Sequence, residues 1–212
     1  MRPEAPPAAD EQYFVERPRS PHRRREFRFL YRGEMLRFET DRGLFASEGL
    51  DPGTDLLISV LQPAPGDRIL DLGCGWGALG IAAARAAPSG RVVMVDVNRR
   101  AVHLARINAR ENRLPHVEVR VGSLYAPVGE ERFDLIVTNP PYHAGRPTVL
   151  ALLEGAPAHL RPGGRLLLVG KGSHGIRFYQ KWLSDRWGAD RVVVRARGSG
   201  YRVLEAGPAP GP

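Results

Sequence analysis

Between a short apolar run and an alanine-rich stretch stands the turn Asp71-Leu72-Gly73-Cys74-Gly75-Trp76-Gly77-Ala78. Arg68–Leu72 reads as a strand, and Ala78–Ala87 as a helix that stops near Pro88. Val92–Val95 is a second buried strand, and Asp96 follows it, nineteen residues beyond Gly77. Glycines at such a turn let the backbone approach a ligand, and the helix behind it offers unpaired N–H groups. A carboxylate at the end of the next strand can accept both hydroxyls of a ribose. Loop, acid and βαβ context together predict a nucleoside-containing ligand.

The same alternation continues to the C-terminus. A helix is expected over Arg100–Glu111, strands over Val117–Val121 and Leu135–Thr138, and a helix over Val149–Leu160. Pro162-Gly163-Gly164 then leads to a strand Arg165–Val169, a helix near Phe178–Trp187, and two strands, Val192–Ala196 and Tyr201–Leu204. Such alternation implies an α/β fold: an open, largely parallel sheet covered by helices on both faces. The last two strands, joined by a short Arg197-Gly198-Ser199 turn, should be antiparallel neighbours. Ahead of this unit, Phe27, Phe29 and Tyr31 alternate with polar residues, as do Leu36 and Phe38 beyond Arg32-Gly33-Glu34. That pattern predicts a hairpin over 27–40. Gly53–Leu61 reads as a helix, with Asp51 and Thr54 as its cap. Trp182 and Trp187 read as core. Residues 1–26, rich in proline, are expected to form a mobile arm, 27–206 one domain, and 207–212 a tail.

Composition narrows the class. No stretch among the 212 residues is long and apolar enough to span a bilayer, and no apolar run of a secretory signal follows Met1. The single cysteine, Cys74, excludes an intramolecular disulfide and a cysteine-rich zinc site, so no metal is expected. These traits predict a cytoplasmic protein. The net charge is +8, and residues 161–212 carry ten Arg/Lys against Asp185, Asp190 and Glu205. That balance suits a polyanionic partner such as RNA.

The glycines alone leave two ligands open, because Gly73-x-Gly75-x-x-Ala78 also satisfies the dinucleotide fingerprint. Asp71 argues against NAD, since a carboxylate in the loop serves a pyrophosphate poorly. It serves the ammonium of a bound amino acid well, and S-adenosylmethionine combines that end with a ribose and no phosphate. The strand Leu135–Thr138 runs straight into Asn139-Pro140-Pro141-Tyr142. At this edge, the Asn139 side-chain oxygen and the Pro140 carbonyl could hold the two hydrogens of an exocyclic amine. Its lone pair would then point at an electrophilic methyl group, and Tyr142 could stack on the planar group carrying the amine. His143 follows the motif within reach of a base or phosphate, and Lys171 at the same edge could meet a phosphate.

Asp-x-Gly-x-Gly-x-Gly resembles motif I of the class I methyltransferases, and Asn-Pro-Pro-Tyr resembles the hallmark of those that methylate amines of adenine, guanine or glutamine. More of the chain matches one branch. Gly43-Leu44-Phe45-Ala46-Ser47 and Asp51-x-Gly53-Thr54-x-Leu56-Leu57 precede the loop. Val95-Asp96-Val97-Asn98, Leu160-x-Pro162-Gly163-Gly164 and Gly200-Tyr201-x-Val203-Leu204 follow it. Over residues 12–206 the chain is similar to single-domain relatives of ribosomal RNA small subunit methyltransferase C, within the methyltransferase small domain family.

The resemblance implies a Rossmann-like, mostly parallel seven-stranded sheet with an antiparallel last strand and a small N-terminal hairpin extension. It implies S-adenosylmethionine as cofactor, held by Asp71, Gly73, Cys74, Gly75, Gly77, Asp96, Val97 and Asn139. Ser123 stands where an Asp often binds the adenine amino group. Asn139, Pro140 and Tyr142 become the catalytic set, and Phe45 an aromatic near the target. The implied reaction is N2-methylation of guanine in small-subunit ribosomal RNA by a monomer or homodimer. Adenine in DNA or tRNA, a protein glutamine, and a non-catalytic RNA-binding module are the alternatives.

Overall fold

The computed structural model describes Glu16, residues 23–42 and residues 44–208. Most of the expected N-terminal arm and the last four residues of the tail lie outside the described residues. In chain order the elements are β1 (Arg24–Tyr31), β2 (Glu34–Asp41), α1 (Pro52–Ser59), β3 (Arg68–Leu72), α2 (Ala78–Ala86), β4 (Arg91–Asp96) and α3 (Arg99–Glu111). There follow β5 (Val117–Val121), β6 (Phe133–Thr138), α4 (Arg146–His159), β7 (Leu160–Lys171), α5 (Ile176–Trp187), β8 (Val192–Gly198) and β9 (Tyr201–Ala206).

Seven strands form one sheet in the order β5-β4-β3-β6-β7-β9-β8. All neighbours from β5 to β7 are parallel, and β9 alone runs against β7 and β8. The chain starts in the centre at β3, moves outward to β5, then returns to the other side of β3 at β6. This reversal opens a crevice above the carboxyl ends of β3 and β6, where open α/β sheets bind ligands. The glycine turn follows β3 and Asn139 follows β6, so the topology brings the two motifs together. Side chains alternate across the sheet. Ile69, Leu135 and Leu167 pack under α1, α2 and α3, while Leu70, Ile136 and Leu168 pack under α4 and α5. Both faces are covered, which explains the nearly continuous apolar runs of the inner strands.

The hairpin forms its own two-stranded sheet and rests on α3. Two asparagines one helical turn apart provide its seat. Asn108 accepts from Glu39 N at 2.7 Å and donates to Glu39 O at 2.9 Å. Asn112 accepts from Arg37 N at 3.0 Å and donates to Arg37 O at 2.6 Å. The two buried amides thus present the donor–acceptor pattern of a neighbouring strand to one edge of β2. Trp76 of the glycine turn meets Phe27 and Phe38 edge-on at 5.0 and 5.1 Å, joining the hairpin to the turn.

Several boundaries differ from the sequence reading. β1 begins at Arg24 rather than Phe27, because Arg24 pairs with Asp41 across the hairpin. α4 begins at Arg146, where Pro147 suits the first helical turn. β7 starts at Leu160 and passes through Pro162-Gly163-Gly164, with a register shift between Phe133 and Leu135 absorbing the irregularity. The β8–β9 turn is Ser199-Gly200, both with positive φ, rather than Arg197-Gly198-Ser199. Gly207, assigned to the tail, donates its N–H to Arg191 O at 3.2 Å.

Candidate active site at the carboxyl edge of the sheet

The glycine turn folds back over the end of β4, where Gly73 N and Cys74 N both donate to Val95 O at 2.9 and 3.0 Å. Gly73 and Gly75 adopt φ of 73° and 54°, and open space lies where a Cβ would stand on each. Gly77 differs. It lies outside the cavity lining, and a Cβ there would press on Ala105 and Ile81 at 3.3 Å. Gly77 thus packs the turn closely against α2 and α3.

Two carboxylates lie beneath this turn. Asp71 is 1% exposed and accepts from Gly80 N at 2.8 Å. Burial, with a smaller contribution from Asp96, pushes its carboxyl up to about 7. Asp96 accepts from Gly75 N through one oxygen and from Asn98 N through the other, both at 2.8 Å. A carboxylate has about four lone-pair sites, so Asp96 keeps acceptor capacity for a ligand hydroxyl. Burial raises the carboxyl of Asp96 too, against the lowering effect of these backbone donors. The Cys74 thiol, buried beside both acids, is pushed up and stays neutral.

Across the crevice, Pro141 (φ −74°, ψ 74°) forms an inverse γ-turn in which Tyr142 N donates to Pro140 O at 2.8 Å. The Pro140 carbonyl, expected to hold an amine hydrogen, therefore retains one free lone pair. Asn139 Nδ2 donates to Asp51 Oδ2 and to Thr54 Oγ1, each at 3.0 Å. A carboxylate only accepts, so the amide nitrogen must face Asp51, and Oδ1 is the group left for another partner. Asp51 also caps α1 by accepting from Thr54 N at 2.9 Å, and takes the Tyr201 hydroxyl at 3.3 Å. The cap reading of Asp51 holds, and the same carboxylate orients Asn139.

Tyr142 donates its hydroxyl to Val169 O at 2.8 Å, a seat that requires Gly170, where any side chain would collide with that hydroxyl. His174 stacks on the Tyr142 ring at 4.9 Å and 23°, so the ring expected to receive a planar target already has a neighbour there. His174 Nδ1 is buried without a partner, and burial, with His143 and Lys171 nearby, lowers its pKa. The imidazole is therefore neutral at pH 7.

These groups line a cavity of about 360 Å³. It brings together Asp71, Gly73, Cys74 and Gly75 with Asp96, Val97 and Ser123 on one side. Asn139, Pro140, Tyr142 and His143 stand on the other, and Phe45, 43% exposed, also lines it. Lys171 does not line it; its ammonium lies 5.7 Å from the Tyr201 ring centroid, near the rim. Sequence reasoning missed His174 and Tyr201, which reach the cavity only through the order of β7 and β9, and Gly170, which makes room for the Tyr142 hydroxyl.

The family model of the methyltransferase small domain matches residues 35–205. The YbxB protein of Bacillus subtilis is 32% identical over 198 residues, 92% of this chain and 98% of that protein. Ribosomal RNA small subunit methyltransferase C of Salmonella choleraesuis is 36% identical over 179 residues, 82% of this chain and 51% of that enzyme. The chain thus spans about half the length of such enzymes. Among solved structures, the Thermus thermophilus 16S rRNA N2 G1207 methyltransferase, in complex with AdoMet and guanosine, superposes with a TM-score of 0.77 at 30% identity. The match covers 90% of this chain and 52% of that one. Ribosomal protein L11 methylase of Lactobacillus delbrueckii subsp. bulgaricus (TM-score 0.60, 23% identity, 73% and 76% of the two chains) shares the fold. The chain belongs to the methyltransferase small domain family and carries its S-adenosylmethionine-dependent methyltransferase unit.

Proposed function

We propose that the protein methylates the exocyclic N2 amine of a guanine in RNA, with small-subunit ribosomal RNA as the substrate class. The observation that carries this reading is the orientation of Asn139. Its amide nitrogen is engaged by Asp51 and Thr54, so it offers an acceptor, and an acceptor suits a donor such as an amine. The guanosine in the Thermus thermophilus complex favours guanine among the amines.

The cavity fits S-adenosylmethionine. The space above Gly73 and Gly75 is a cradle that a Cβ would fill, and the acids beneath it have backbone N–H donors as partners. Two buried carboxylates of raised pKa favour a ligand that brings positive charge. Asp96 would take the ribose, Asp71 the ammonium, and Ser123 the adenine edge. When bound, S-adenosylmethionine supplies a methyl group made electrophilic by a positively charged sulfur. Asn139 Oδ1 and the free lone pair of Pro140 O would accept the two amine hydrogens, turning the nitrogen lone pair toward that methyl. Positioning supplies the rate, without a strong base. The proton lost after transfer passes to water.

The test is incubation with tritiated S-adenosylmethionine and ribosomal RNA, transfer RNA, DNA and protein from cells lacking the gene, followed by nucleoside and peptide analysis. Label in N2-methylguanosine of small-subunit RNA is the expected result. Label confined to adenine or glutamine would move the substrate.

A further inference from the structure

The elements flanking the cavity carry groups that the chemistry above does not use. α4 opens at Arg146, and α5 places Phe178 in its first turn. The Arg146 guanidinium stands 4.5 Å from the Phe178 ring centroid, and that ring is 40% exposed. Phe178 meets Tyr179 edge-on at 5.3 Å, and Tyr179 lies 5.9 Å from Tyr142. A run of rings thus leads from the Asn-Pro-Pro-Tyr segment to an exposed phenyl beneath a cation. An exposed phenyl adds little to folding, since its apolar area stays in water.

The charges there are also left open. In the C-terminal quarter, Arg161 pairs with Asp134, Lys181 with Asp185, and Arg165 and Arg195 with Glu205, while its other six cations, Lys171 among them, form no ion pair among the described residues. Among the described residues no carboxylate forms an ion pair with Arg146 or Lys171. A guanidinium packed on an aromatic face can carry a nucleobase on its outer plane and reach a phosphate, and such stacking tolerates any base. A target drawn out of its stack leaves the neighbouring base without a partner, which is the gap such a surface fills.

We propose that Arg146 and Phe178 form a shelf for the nucleotide adjoining the target in single-stranded RNA, with Lys171 taking a backbone phosphate. This rests on the RNA reading above. The probe is a fluorescein-labelled, ten-nucleotide single-stranded RNA of mixed sequence, bound to the full chain and followed by anisotropy over a range of salt. Phe178→Ala should weaken binding about 5- to 50-fold. Arg146→Ala should weaken it several-fold and reduce the salt slope by about one. Lys181→Ala, whose ammonium is held by Asp185 on the same helix, should bind as wild type. Thermal melts and S-adenosylmethionine titration show that each variant is folded. Wild-type RNA affinity in both the Phe178 and Arg146 variants would overturn the shelf, as would equal competition by polyglutamate, the mark of a general anion surface. Loss of RNA affinity in a protein that transfers no methyl group would leave the shelf standing and remove the proposed function instead.

Discussion

The two ends of the sheet treat their carboxylates in opposite ways. At the amino-terminal end, Arg68 and Arg91 open β3 and β4 and converge with Arg120 on Glu131, at 3.0, 2.8 and 2.5 Å. Hydrogen bonds from Arg120 and Arg91 hold the neighbouring Glu118 down to about 2. At the carboxyl end, Asp71 and Asp96 receive backbone N–H donors, and burial drives both upward. One end closes its charge within the fold; the other leaves negative charge for a ligand to neutralise. Of the ten cations in the basic C-terminal quarter, four pair with carboxylates among the described residues, and Lys171, like Arg146 on α4, stands open nearer the cavity.

If the carboxyl end is specialised for chemistry, its largest response should be in rate. Asn139→Ala should lower methyl transfer by about 10²–10⁴-fold while S-adenosylmethionine affinity stays within a few-fold. Single-turnover assay and calorimetry measure the two. Internally satisfied groups should respond in stability instead. Asn108→Ala removes the partners of Glu39 and Trp76 and should cost about 2–4 kcal/mol in urea unfolding.

Asp71 sharpens the contrast through pH. Below about pH 3 its carboxyl is protonated in the folded chain and largely so in the unfolded one. As pH rises toward 7, the unfolded chain releases this proton first, so stability falls through that window and levels off above it. Asp71→Asn should flatten the decline, gaining about 1–3 kcal/mol at pH 8 and little at pH 4. Its cofactor affinity should also lose the wild-type increase between pH 5 and 8. The smallest effect belongs to Glu131→Gln. Burial opposes ionisation of Glu131, but Arg120, Arg91 and Arg68 outweigh it and hold the pKa low. The variant should lose about 1 kcal/mol at pH 7, a difference that shrinks as pH falls below 4, with methyl transfer unchanged.

The sequence made the glycine turn, Asp96 and Asn139 legible because each sits at a strand end marked by its own local pattern. The sheet followed from the same alternation. What stayed hidden came from distant pairings. Tyr201 reaches Asp51 because β9 inserts between β7 and β8, and His174 reaches Tyr142 because it follows β7, which pairs with β6. Asn108 and Asn112 looked like ordinary helix residues, since nothing in a helical period announces a strand edge against it. The packing contacts of Gly77 stayed hidden too, because a glycine that packs and one that admits a ligand carry the same letter.

The central claim is that Asp51 fixes Asn139 so that its oxygen meets the amine, and two substitutions separate this from the cap. Asp51→Ser keeps a capping hydroxyl on α1 but is too short to hold the Asn139 amide, whereas Asp51→Asn keeps an oxygen for both. Single-turnover methyl transfer at saturating S-adenosylmethionine is the measurement. Asp51→Ser should melt near wild type yet transfer about 10- to 100-fold more slowly, while Asp51→Asn should stay within a few-fold. Wild-type transfer by Asp51→Ser would contradict the claim.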